Sequence, residues 1–417
     1  MNQIIKSAAD LKAPRHILAA LELLQFHNAS VNRLASLSGT ERRQFLEWCD
    51  ARQLTLMLRH VGGSNLPAWV GEAAFERMTR YELRFNRLKR DLFEIVEALN
   101  AAGLEFVLLK GLSHSPALTA DPRLRAQGDI DLWLIGSSAY KARDVLSSLG
   151  YVPLLNSKSR HLSPMGRPGG WQWRGDLFDP EMPISVELHY ELWSDRAEHI
   201  VVPELEQFWE RKTLRNFDGC MINVLCDEDL LGFASLHLLL HLLHGELPLQ
   251  RAWEIARFLD TRVSDEPFWT SWRNSHPAAL RQLETCIFFL VTNWFECRLR
   301  QELETDFQRL PVTLKSWLKE FSLAPLAREW KPNKSEIWLH LALIEKRKDK
   351  LRVLGRRLIP IALPMFADRA ISRPSAISTL LTFCRQLPLL AGRLLVHLAT
   401  FFPTLFEGVR WLWIRKL

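Results

Sequence analysis

Three short stretches of the 417-residue chain carry side chains whose types and spacing suit chemistry on a phosphate ester. In Asp129-Ile130-Asp131-Leu132 two carboxylates alternate with two apolar residues. A strand's period of two puts both acids on one face, about 7 Å apart. That spacing suits Mg²⁺ or Mn²⁺, hard cations that take one or two carboxylates and leave the rest of their shell to substrate phosphates and water. Upstream, the apolar run Phe106 to Leu109 ends at Lys110-Gly111, the pattern of a buried strand entering a turn that needs a glycine. Downstream the alternation returns, with Ser185, Glu187 and His189 on one face and Ile184, Val186 and Leu188 on the other.

The run Leu108-Leu109-Lys110-Gly111, a short helix, and then Arg125-x-x-Gly128-Asp129-Ile130-Asp131-Leu132 resemble the nucleotidyltransferase superfold, whose core motif is a Gly/Ser turn followed by a strand bearing D-x-D. The chain is most similar to a bacterial family of uncharacterised nucleotidyltransferases that joins LLKG and RxxxDIDLLV to a later acidic strand ending in LHW. Here the later piece is ISVELHYELW, Ile184 to Trp193, and the resemblance runs from about Tyr81 to about Asp260. It implies an enzyme that moves a nucleoside monophosphate from an NTP, ATP first among them, to an acceptor on a small molecule, a sugar or a protein. Two metals held by shared carboxylates would serve both ends of an in-line displacement. Asp129 and Asp131 would hold them, and Glu187, if its strand lies beside theirs, becomes the third catalytic carboxylate. Lys110, Gly111, Ser113 and Arg125 would meet the nucleotide, with Gly111 letting backbone N–H groups of the following helix reach phosphate. His189, on the Glu187 face, would stand on the acceptor side.

The pattern departs from the superfold at one point, because the usual Gly-Ser pair is Gly111-Leu112-Ser113. That supports an alternative: a non-catalytic protein with a degenerate fold that holds a nucleotide or a partner, in cell-surface or natural-product assembly. Lys110 either meets phosphate or snorkels from the end of its strand. Arg125 either grips a triphosphate or pairs with Asp121 or a site carboxylate. His237, His241 and His244 share one face of a helix that is apolar nearly all round; without a signature such as H-E-x-x-H they read as packing residues, His241 toward the catalytic domain.

The elements that must position these residues give an α+β fold, a nucleotidyltransferase-like mixed sheet core flanked by helical regions. Tyr81, Phe85, Leu88, Leu92, Ile95 and Leu99 recur at helical spacing, leave Arg84, Arg87, Lys89 and Arg90 mostly outside, and end at Gly103. Gly136-Ser137-Ser138 predicts a cap for a helix from Ala139 to Leu149, and Asn156 to Gly170, rich in Gly, Pro and Ser, reads as a mobile loop or hairpin connection. The expected division is a helical region at 1–95, a catalytic core at 96–215, a second helical region at 216–344 and a basic amphipathic tail at 345–417.

Hydrophobic residues at 47% and charged residues at 24% are ordinary globular values. The six cysteines form no C-x-x-C pair, which predicts a reducing, cytoplasmic setting and excludes a zinc ribbon. The charged start, with Lys6, Asp10 and Lys12, does not read as a signal peptide, and no uncharged stretch is long enough for a spanning helix. Residues 345–417 carry 14 Lys and Arg against 4 Asp and Glu, whereas the remainder carries 40 against 43. Such a tail, with Phe401, Phe402, Phe406, Trp411 and Trp413 among its cations, packs on the body or lies on an anionic membrane surface. No signature of sequence-specific nucleic-acid binding accompanies it.

Overall fold

In the computed structural model, which describes residues 11–154, 161–358, 395 and 397–413, the two alternating stretches lie side by side. They are parallel strands at the centre of a seven-stranded sheet, ordered β3-β4-β5-β2-β1-β7-β6. Here β1 is Val107–Leu108, β2 Asp129–Trp133, β3 Val152–Pro153, β4 Met165–Gly166, β5 Ser185–His189, β6 Thr213–Phe217 and β7 Cys220–Val224. The β2–β5 register sets Asp129 beside Ser185 and Asp131 beside Glu187. The β6–β7 hairpin carries the sheet to Val224 and joins it through a parallel pairing of β7 with β1. The fold is α+β, a mixed sheet between helical regions.

Alternation along β1 and β2 divides the interior into two cores. Leu108, Ile130, Leu132, Val186 and Leu188 point one way, into a core closed by the long helix Ala68–Ala101 through Tyr81, Phe85, Leu88, Leu92, Ile95 and Leu99. Burying each such side chain contributes about 2 kcal/mol, so this stripe fixes the sheet against the helix. Val107, Leu109 and Trp133 point the other way, into the larger helical core. The helix stops as its sequence predicts, with Gly103 at φ +65° and Leu104 N–H donating to Leu99 O.

Two local expectations are corrected. Arg84 is buried, not outside, because the segment before β5 folds over it and its guanidinium donates to Leu177 O at 2.7 Å. The helix after β2 spans Ser138–Ser148 and its Ser137 makes no side-chain cap. Within Asn156 to Gly170, read as a mobile loop or hairpin connection, residues 156–160 lie outside the described ones, and Met165–Gly166 is a strand antiparallel to β3, as in a hairpin, and also paired with β5. Its apolar Met165 inserts into the core, which composition alone conceals.

C-terminal to the sheet, the helix Asp227–Leu243 is buried along most of its length, and three acids in its first turn complement its dipole. It packs against Leu249–Thr261 and Ala278–Phe295. These helices cover the sheet face that carries Asp129, Asp131 and Trp133.

Candidate active site

Asp131 is the centre of the site because β2 points it between β1 and β5 and into the interhelical side. It is 1% exposed, and its Oδ1 accepts from Lys110 Nζ at 2.5 Å and from His189 Nε2 at 2.8 Å. Burial alone would raise its pKa; the Lys110 charge and the His189 hydrogen bond outweigh that and hold it well below the ordinary carboxylate range. Asp129, one pleat earlier, is pushed the other way, first by burial and then by repulsion from Asp131. One face of β2 therefore holds two carboxylates whose proton affinities are driven apart.

β5 supplies the other half. Glu187 Oε2 lies 3.5 Å from His189 Nε2 and 3.7 Å from His161 Nε2. Ligand atoms of Asp131, Glu187 and His189 all fall within 4.8 Å of one another. His189 was expected on the acceptor side; its Nε2 also reaches back to both carboxylates, 2.8 Å from Asp131 Oδ1 and 3.5 Å from Glu187 Oε2. Asp129 stands beside that set.

A divalent cation fits these residues. Asp131 Oδ2 is buried without a hydrogen-bond partner, a cost of about 1–3 kcal/mol that a cation removes. The Lys110 ammonium already faces Asp131 Oδ1, and a cation at Oδ2 would add to it.

The nucleotide-binding expectations fare differently. Lys110 serves Asp131. Gly111 has φ +68°, and a Cβ there would lie 2.2 Å from Gln127 Oε1, so the glycine is required by Gln127 packing and backbone conformation. The segment Gly111–His114 is a single 3₁₀ turn with all four residues buried, and Ser113 Oγ donates to Lys110 O at 3.3 Å. Arg125 is 4% exposed and its Nη1 bonds Glu254 Oε2 at 2.8 Å and His114 Nδ1 at 2.7 Å. Burial and that guanidinium hold His114 down at about 4. Arg125 is thus a pin between the sheet and the helix Leu249–Thr261, because only a fully desolvated carboxylate neutralises it.

Two residues near the site escape sequence reasoning. His161 bridges to His189 beside β5, and its Nδ1–H donates to Leu162 O at 2.7 Å, which leaves Nε2 turned toward Glu187. No spacing rule flags it. Arg251 lies within the electrostatic field of Asp129 and Asp131 and sits between His237 and His241. The histidine stripe at 237, 241 and 244 was visible; its partner on the next helix was not.

Past the C-terminal ends of β2 and β5 opens a cavity of about 1180 Å³, lined by neighbours in sequence of the site residues and not by the carboxylates themselves. Trp133, two residues past Asp131 on the same face, Tyr190, Glu191, His241 and His244 are among its walls.

No curated protein and no solved structure gives a match to this chain. A family model described as an uncharacterised nucleotidyltransferase matches residues 38–296, which contain the whole sheet and every residue of the site. That span is more than half of the chain, and the protein belongs to this family of nucleotidyltransferases.

Proposed function

We propose that the protein transfers a nucleoside monophosphate from an NTP, with ATP the first choice, to an acceptor hydroxyl. The observation that carries this reading is the parallel register of β2 and β5, which sets Asp131 beside Glu187 with His189 on both. Asp129, Asp131 and Glu187 would hold Mg²⁺ or Mn²⁺, with His189 able to join them; the metal would neutralise phosphate charge and favour the deprotonated acceptor. In the transfer, the acceptor oxygen bonds to the α-phosphorus, the α–β bridging bond breaks with its electrons, and pyrophosphate leaves. Lys110 orients Asp131, and the acceptor's proton would pass to solvent by way of Glu187, whose carboxylate is 21% exposed. The adjoining cavity is large enough for a sugar or other small acceptor. A cytoplasmic location agrees with an NTP donor.

Calorimetric titration with ATP, GTP, CTP and UTP, with and without Mg²⁺, tests this. Magnesium-dependent binding of one NTP, lost in Asp129→Ala/Asp131→Ala, is the expected result. Binding that ignores magnesium and the double substitution would favour the non-catalytic alternative.

The helix over 397–413 supports a peripheral membrane contact. It turns small and polar residues inward, with Thr400 and Thr404 each 1% exposed and Trp411 against Trp338. Its apolar residues face outward, Phe402 and Phe406 being 75% and 74% exposed. Among the described residues no helix is long and apolar enough to cross a membrane. The excess of cations across residues 345–417 suits an anionic bilayer surface. Phe402→Ser/Phe406→Ser is expected to weaken sedimentation with phosphatidylglycerol-rich vesicles at least tenfold, at about 2 kcal/mol per ring. Equal sedimentation of both proteins would remove the contact.

A further inference from the structure

Among the described residues, the cations around the site are committed to carboxylate or carbonyl partners, with Arg251 apart. Lys110 pairs with Asp131, Arg125 with Glu254, Arg215 donates to Ser113 O and Ser115 O, and Arg257 to Pro116 O and Ala117 O. Arg251 differs. Its Nη1 donates to His237 Nδ1 at 2.8 Å and to His241 Nε2 at 2.7 Å, its Nε–H is buried with no acceptor, and among the described residues no carboxylate lies within ion-pair distance. The second nitrogen of His241 faces Glu246 Oε2 at 2.5 Å, which fixes the tautomer and leaves Nε2 as an acceptor. Burial, with the Arg251 charge adding to it, keeps His241 below its ordinary pKa.

Imidazole nitrogens that accept from a guanidinium orient it without cancelling its charge, as a carboxylate would. The full charge, and a fork with donors to spare, thus remain beside Asp129 and Asp131, whose fields reach Arg251. The Gly111 turn offers no comparable anion site, because Gln127 fills the space beside the glycine. Resting on the nucleotidyl-transfer reading, we propose that Arg251, presented by His237 and His241, is the cationic arm of a polyphosphate subsite that takes the β- and γ-phosphates of the NTP and then the pyrophosphate. The anion site has in effect moved from the turn after β1 to the helix Leu249–Thr261, which gives the histidine stripe its purpose.

Inorganic tripolyphosphate, which has neither base nor sugar, is the probe. Titrated into the full-length chain with Mg²⁺, it is expected to bind at least tenfold more weakly to Arg251→Ala than to the parent protein. Arg251→Lys should recover part of the loss, as it keeps the charge and loses the fork. Arg251→Gln keeps a donor for the two histidines; it should melt with the parent protein and still lose tripolyphosphate to the same degree, whereas a merely structural arginine would show the reverse. AMP affinity should be unchanged in all three. Parent-like tripolyphosphate binding by Arg251→Gln, or an equal loss of AMP, overturns the subsite. The transfer reading fails by a different sign: NTP binding indifferent to Asp131 and Glu187, with Arg251-dependent tripolyphosphate binding intact.

Discussion

Glu187→Gln is expected to lower magnesium-dependent nucleotidyl transfer by about 10²–10³-fold while leaving the protein as stable as before. The carboxylate is 21% exposed, its nearest ring nitrogens are those of His161 and His189, and it adds to the repulsion felt by Asp129. Removing its charge relieves that repulsion and leaves no buried group unpaired. Asp131→Ala should behave in the opposite way. It leaves the Lys110 ammonium, 9% exposed, with no carboxylate, which costs about 3–5 kcal/mol. A urea titration of both variants beside a pyrophosphate-release assay separates the two roles. If Glu187→Gln unfolds as readily as Asp131→Ala, the division of labour between the strands is wrong. If it retains transfer, Glu187 is not catalytic.

The other large effect lies far from the site. His276→Ala should destabilise the helical core by about 3–5 kcal/mol. His276 is fully buried, its Nδ1 2.9 Å from Glu284 Oε2 and its Nε2 3.2 Å from Asp229 Oδ1. With a carboxylate at each nitrogen, both must donate, so the ring is an imidazolium. The remaining acceptors are satisfied as well, Asp229 Oδ2 by Arg211 Nε at 3.0 Å and Glu284 Oε1 by Trp272 Nε1 at 3.0 Å. Burial by itself would lower the His276 pKa, but Glu284 and Asp229 prevail and raise it to about 9. A folded-state pKa above the unfolded value means that the contribution is complete below about pH 6.5 and is lost as pH rises through about 9. The span corresponds to about 3 kcal/mol. Urea midpoints measured at pH 6 and at pH 9.5 should therefore differ in the parent protein and converge in His276→Gln. Equal midpoints in the parent would show that the ring is neutral.

How far the site was legible follows from what each pattern encodes. Alternation in Asp129 to Leu132 and in Ser185 to His189 settles which side chains share a face, since the pleat repeats every two residues whatever lies alongside. The apolar stripe from Tyr81 to Leu99 likewise declares a helix and its buried side. Arg84, placed outside by that stripe, is a case where a distant segment supplies carbonyl acceptors that periodicity has no means to anticipate. Met165 in β4 is similar, on a strand of two residues between β3 and β5, inside a stretch whose glycines and prolines announce a loop or hairpin connection.

The sequence by itself determined the carboxylates, the glycine-terminated strand before them and the α+β class, because each depends on spacing within one element. Tertiary structure alone decided their partners. It put Asp131 rather than Asp129 at the centre, drew His189 and His161 to Glu187, committed Lys110 and Arg125 to buried carboxylates, and left Arg251 on two histidines. A buried charge settles on whichever opposite charge the packing desolvates beside it, and those neighbours come from elements 21 and 129 residues apart in the chain.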